Sequence, residues 1–549
     1  MTSVSIARCL TVIGLLATSL ACGSSEPEPL PAPSLDEARL LDHIRTLASD
    51  DFLGRAPGTP GEERTVTYLT ETFEGLGLEP GNPDGTYSQR VPLVGVTPTD
   101  ISLLTFGAGD ESLELVSGQD FVATAAHPVP QASLDGAEVV FVGYGTQAPE
   151  FGWDDFKGMD VAGRVLLVLV NDPPGEDIFG GEAMTYYGRW TYKYEKARAL
   201  GAAGVFIVHE TGPAGYPWEV VQGSWSGEQF NLASASAATD QLAIQGWLQL
   251  DQARALAELA GLSLDDLMAQ ARSPGFQPVS MGVTASVSMT NTVRNILSQN
   301  VVARVSGAEA PGETVLYVAH WDHLGRDDSL PDPIYNGAVD NASGTAGLLE
   351  LARVFSRLPT PPRRSVLFLA VTAEEQGLLG SRFYAENPLY PLAQTVAVIN
   401  MDGLNVLGRT RDLTIIGMGQ STLEDLAADA AAAQERTLRP DPEPEKGLFY
   451  RSDHFEFAKV GVPALMADAG IDFIERPEGW GLEQRERYTA EDYHKPSDEV
   501  RPMWDLSGAL EDLELFLAIG RRLAEGTAWP EWRESSEFRA VRLESRSGS

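Results

Sequence analysis

Val315-Leu316-Tyr317-Val318-Ala319-His320-Trp321-Asp322-His323 and, soon after it, Asn336-Gly337-Ala338-Val339-Asp340-Asn341-Ala342-Ser343-Gly344 decide the reading of this chain. The first stretch is a short apolar run and reads as a buried strand that delivers His320 and Asp322 at its C-terminal end. The second is a Gly/Asn-rich turn that presents Asp340 and opens into a helix. Ligands of open α/β sheets sit at the carboxyl ends of strands. Two further apolar runs repeat the pattern. Val366-Leu367-Phe368-Leu369-Ala370-Val371 is followed by Thr372-Ala373-Glu374-Glu375, and Val396-Ala397-Val398-Ile399-Asn400-Met401 by Asp402. Three strand ends tipped with histidine or carboxylate are hard to explain by packing. They point to a metal site.

Around this centre the chain runs to 549 residues, too long for one ordinary core, so two or more domains are expected. A hydrophobic content of 43% is that of a globular protein. The formal net charge of −38 argues against nucleic-acid or anionic-membrane binding, which need a basic surface. It fits solubility in an extracytoplasmic or salty medium. Both cysteines, Cys9 and Cys22, lie near the start, where Arg8 precedes an apolar run and Ala21-Cys22-Gly23-Ser24-Ser25 follows it. Residues 1–22 resemble a bacterial secretory signal ending in a lipobox, with Cys22 acylated, although Ser19 stands where leucine is usual. An ordinary cleaved signal is the alternative. Either implies export, to the periplasm, to the outer membrane or cell envelope as a lipoprotein, or into the medium. Disulfides do not hold the fold, and no later stretch reaches the length of a membrane span.

Residues 23–33 are rich in Pro, Glu and Ser and read as a tether. Residues 34–99 carry two amphipathic helices, one with Leu40, Leu41, Ile44 and Leu47, one from Glu62 with Val66, Leu69 and Phe73. Between them lies the turn Gly54-Arg55-Ala56-Pro57-Gly58-Thr59-Pro60-Gly61. Residues 100–295 are strands and glycine turns without clustered acids at strand ends, and read as a non-catalytic insert. The α/β pattern resumes over 296–525 and closes on a helix with Leu506, Leu510, Leu513 and Leu517. Residues 526–549 read as a polar, loose tail.

The chain has only seven histidines, and His320, His323 and His494 sit beside acids. Imidazole and carboxylate ligands suit zinc, and a site with open positions activates water. A single His-x-Asp or Glu-Glu pair is weak evidence. Five candidates in order, each at a strand end or loop, are much stronger, and they suffice for two metals. His323 follows the motif and reads as a loop residue. His454, followed by Phe455 and Phe457, reads as a packed histidine.

The constellation His320-x-Asp322, Asp340, Glu374-Glu375, Asp402 and His494 resembles the di-zinc aminopeptidases that include aminopeptidase S, aminopeptidase Y and glutamate carboxypeptidase II. The insert resembles a protease-associated domain. The resemblance implies an α/β fold of zinc exopeptidase type, a mixed, largely parallel sheet flanked by helices, with a β-rich insert. It implies two zinc ions bridged by Asp340, with His320 and Asp402 on one, Glu375 and His494 on the other. Glu374 would be the general base on a bridging water, and Tyr493 would stabilise the oxyanion. Asp322 would hold His320 in orientation. Arg451, in Arg451-Ser452-Asp453-His454, would contact substrate or form a surface ion pair. The implied activity is hydrolysis of peptide substrates, with removal of N-terminal residues preferred over carboxypeptidase or dipeptidase action. A glutaminyl cyclase and a receptor-like ectodomain remain as alternatives, the latter disfavoured because all five ligands are present. The oligomeric state is left open.

Overall fold

The computed structural model of the chain describes residues 1–2, 34–175, 181–233 and 242–547. The expected signal segment, with Cys9 and Cys22, and the expected tether lie outside the described residues apart from the first two. In chain order the elements that build the catalytic layer are α1 (Glu37–Leu47), α2 (Pro60–Gly75), β1 (Ser88–Ile101), β2 (Val279–Val305), β3 (Ala310–His320), α3 (Gly344–Ser356), β4 (Arg364–Val371), β5 (Thr395–Asn400), β6 (Asp412–Ile416), β7 (Ala464–Ala469) and α4 (Ser507–Glu525).

The run that ends in His320 is central strand β3, as its unbroken apolar character requires. It pairs in parallel with β4 on one side and β5 on the other, and β5 pairs in parallel with β7. β6 runs antiparallel to β7, and β2 antiparallel to β4, so the sheet is mixed but parallel at its centre. Both faces are covered. Val315, Tyr317 and Ala319 join a core with α1, α2, α3 and α4, while Leu316 and Val318 face a second core containing Tyr384, Phe457 and Val462. The register sets His320 opposite Val371 and Val318 opposite Asn400. The residues that follow these strands therefore emerge at one edge of the sheet, which gathers His320, Glu374, Glu375 and Asp402.

The insert has its own apolar cores, drawn from residues between Val96 and Met289. Strands Gln131–Phe141, Val165–Leu169, Gly204–His209 and Ile244–Gln249 run parallel in that order. Helices such as Trp190–Ala199 and Leu250–Leu259 accompany them, so it is less purely β than the turn-rich sequence implies. No linker separates the two layers. β2 spans 27 residues, pairing with Gln131–Phe141 in its first part, with β1 in the middle and with β4 at its end. The expected boundaries at 99/100 and 295/296 fall inside β1 and β2.

The C-terminal segment is not a loose tail. Trp532 and Phe538 are buried with ring centroids 5.0 Å apart, and Trp532 Nε1 donates to the Gly461 carbonyl at 2.9 Å. Arg542, on helix Arg539–Ser547, donates to the carbonyls of Leu392 and Thr395. Burial of two large rings outweighs the polar average of the segment.

Candidate metal centre

Asp340 is the hub of the site. Its Oδ1 lies 3.3 Å from His320 Nε2 and its Oδ2 lies 3.3 Å from His494 Nε2, so one carboxylate faces two imidazoles through different oxygens. Asp402 Oδ1 is 3.1 Å from His320 Nε2, and Glu375 Oε2 is 3.0 Å from His494 Nε2. Two half-sites result: His320, Asp340 and Asp402 in one, His494, Asp340 and Glu375 in the other. Zinc bonds to nitrogen and oxygen are roughly 2.0–2.2 Å long, so tetrahedral ligands stand about 3.3–3.6 Å apart. The spacings in both half-sites approach that edge, and the donor set fits the metal. The structure thus brings together all five residues expected as ligands.

The adjacent glutamates point apart. Glu375 is turned inward, its side chain 3% exposed, whereas Glu374 reaches the cavity and stands 3.9 Å from His320 Nε2. Burial raises the Glu374 carboxyl well above the usual range, helped by Asp402 and Glu375 and opposed by His320. Burial works in the same direction on Glu375, but His494 and His323 outweigh it and hold that carboxyl down at about 2. The Tyr493 ring stacks on His494 at 3.9 Å and lines the same cavity. Burial, with Asp340, Glu375 and Glu374 nearby, pushes its hydroxyl well above 10, so the phenol stays a proton-bearing donor.

Asp322 serves the site differently from the expectation. Its carboxylate is 3.8 Å from His320 Nδ1, an ion-pair separation, and the closer contact of Nδ1 is the Asp322 backbone oxygen at 3.2 Å. The carboxylate oxygens accept from the amides of Glu374 at 3.0 Å and Glu375 at 3.4 Å. It fixes the turn that parts the two glutamates. His323 is more than a loop residue. Its Nδ1 is 2.5 Å from Glu375 Oε1, and its buried Nε2 has no hydrogen-bond partner among the described residues. His454 is buried against Phe449 at 4.8 Å, as a packed histidine should be.

Three contributors escape a reading of the sequence. Arg55, 1% exposed, donates to the carbonyls of Trp321, Leu47, Asn336 and Gly337 and so ties both ligand loops together. Asp498 accepts from the amides of Val339 and Asp340 and holds the bridging residue in place. Ser224, in the insert, meets His494 Nδ1 at 3.1 Å. Arg55 does lie in the quoted Gly54–Gly61 turn, but only the fold shows what it touches. Ser224 carries no signal in the sequence.

A cavity of about 400 Å³ opens from Asp340, Glu374, Asp402 and Tyr493. Its apolar walls include Leu404, Val406, Leu448, Ile471 and Phe473. Arg451 lines it too, but its Nη2 donates to the Ala214 carbonyl at 2.6 Å and its guanidinium lies 5.1 Å from the Tyr216 ring. It clasps the insert to the catalytic layer.

A buried imidazole–carboxylate cluster thus stands at the strand ends of a doubly covered α/β sheet, with a donor set that suits a metal ion. Residues 300–518 match the model of Peptidase family M28. The chain is 39% identical over 137 residues to "Aminopeptidase NAALADL1" of Mus musculus, covering 24% of this chain and 17% of that protein. A longer match, 26% identical over 402 residues, reaches "Probable glutamate carboxypeptidase AMP1" of Arabidopsis thaliana, covering 67% of this chain and 51% of that one. The chain thus spans about half or less of the length of these curated relatives. Among solved structures, an aminopeptidase from Aneurinibacillus sp. strain AM-1 shares the fold with a TM-score of 0.51 and 20% identity, covering 89% of this chain and 94% of that chain.

Proposed function

We propose that this chain is a zinc-dependent exopeptidase that removes N-terminal residues from peptides, with two zinc ions held on either side of Asp340. The observation that carries this is the Asp340 carboxylate, one oxygen toward His320 and the other toward His494, beside a Glu374 that reaches the cavity. Bound zinc lowers the pKa of water and polarises the scissile carbonyl. The protein's own groups do the rest. Glu374 accepts the proton of the attacking water and passes it to the leaving amine. Tyr493 donates a hydrogen bond to the developing oxyanion. Asp322 keeps Glu374 and Glu375 on separate tasks through their amides.

Charge pairing favours the amino end of the substrate. The cations on the cavity wall among the described residues are engaged: Lys446 with Glu443, Arg451 with Ala214, Arg485 with Asp468, Arg487 with Glu491 and Arg501 with Asp492. A peptide's C-terminal carboxylate would have to displace one of these, whereas a free ammonium finds Glu374 and Asp402. The apolar walls suit an apolar first side chain. "Aminopeptidase" in one relative's name agrees, and "glutamate carboxypeptidase" in another's keeps the carboxyl-end reading as the one to exclude. The test is a peptide panel with free or blocked N-termini and free or amidated C-termini. Cleavage that needs the free amine and ignores amidation is the expected result. Cleavage that needs the free carboxylate overturns the aminopeptidase reading. The N-terminal segment supports export and anchoring through an acylated Cys22.

A further inference from the structure

Resting on the zinc-peptidase reading, the geometry points to Ser224 of the insert as a positioning residue that completes the second half-site, fixing His494 with Nε2 presented to the metal. Coordination through Nε2 requires a neutral imidazole whose remaining proton sits on Nδ1, and that proton needs an acceptor. For His320 the acceptor is local, the backbone oxygen of Asp322 two residues on. His494 has no such partner in its own loop. The atom facing its Nδ1 is Ser224 Oγ at 3.1 Å, 270 residues away in sequence and on helix Trp218–Ser226 of the insert.

The need is greater at His494 because its backbone is in the left-handed region, at φ +57. Non-glycine residues rarely adopt that conformation, so the loop alone gives the ring little support. The segment that carries Ser224 is, by contrast, held to the catalytic layer on both sides. Upstream, Arg451 donates to the Ala214 carbonyl. Downstream, the Phe230 amide donates to Gln376 Oε1 at 3.2 Å, and Glu228 pairs with Arg294 of β2. The first half-site is thus built entirely from the catalytic layer, while the second borrows a hydroxyl from the insert. A domain without clustered acids at its strand ends contributes to the metal centre through docking.

The test uses the full chain stripped of metal and titrated with zinc against a competing chelator. Ser224→Ala should weaken one of the two zinc affinities roughly 10- to 100-fold and leave the other within about 2-fold, the usual loss for removing a ligand's orienting partner. Ser224→Thr keeps the hydroxyl and should restore the second affinity. Peptidase activity of Ser224→Ala should recover with added zinc along the same binding curve. Two unchanged zinc affinities in Ser224→Ala would overturn the assignment. So would equal weakening of both sites in Ala and Thr alike, since that is loosened packing rather than a lost hydrogen bond. A wild-type chain that binds fewer than two zinc ions, or leaves N-free peptides intact, would instead sink the function proposed above.

Discussion

At Asp340 two oxygens of one side chain face two imidazoles, and one substitution tests the pair. Asp340→Asn replaces one oxygen by an amide nitrogen that is a poor metal ligand. Bound zinc should fall below the wild-type content and turnover to that of the metal-stripped protein. Elemental analysis decides it, and wild-type zinc with retained turnover would refute the bridge. The glutamate pair separates base from ligand. Glu374→Gln cannot accept a proton and should lose on the order of 10²–10⁴-fold in kcat while keeping its zinc. KM should stay near wild type. Glu375→Gln should lose zinc instead, and recover part of its activity when zinc is added. The reverse stoichiometry would exchange the two roles. The five candidate ligands were legible in the sequence because each ends a buried strand or sits in a polar loop beside acids. His323 was not, because its contact with Glu375 depends on how two loops face each other. Arg55 escaped for the same reason: its partners are backbone carbonyls, which carry no residue identity.

Among the elements, the Gly54–Arg55 turn and the C-terminal segment depart furthest from their appearance in sequence. Gly54 has φ +67, and a Cβ there would overlap the Gly325 carbonyl, so only glycine lets the turn approach that closely. The turn aims Arg55 at four carbonyls. Lysine has the charge but not the planar fork. Arg55→Lys should therefore weaken zinc at both half-sites, in contrast to the one-sided loss expected at Ser224. A titration showing wild-type affinities would remove Arg55 from the support of the site. Trp532 tests the other departure. Replacing a fully buried tryptophan by alanine costs about 3–5 kcal/mol, so Trp532→Ala should lower the thermal unfolding temperature while leaving the peptidase active when assayed cold. An unchanged melting curve would return the segment to the status of a tail. The apolar runs of β3, β4 and β5 were readable because a strand buried on both faces is apolar throughout. β2 was not, since its alternation over 27 residues looks the same as two shorter strands. The C-terminal segment hides two buried rings, Trp532 and Phe538, among polar neighbours with no period to mark them.

Over the whole molecule, location and activity are separable. If Cys22 is acylated, Cys22→Ala should move the protein from the detergent phase to the soluble fraction with specific activity unchanged. An unaltered membrane fraction would exclude that anchor. No helix among the described residues is long and apolar enough to cross a membrane. The fold class and the candidate metal-binding cluster could be read without a structure, but the partnership of the two layers could not, because it rests on a shared strand and on a hydroxyl far from the motifs. The Arg55 clip, described above as a matter of distance, also has a timing. Its Gly337 partner lies 282 residues downstream. At the ribosome's roughly 5–20 residues per second, that is a delay of about 15–60 s before the guanidinium can find its carbonyls. His494 and Asp498 come later still. A growing chain therefore holds no complete cluster of candidate ligands until His494 has been made.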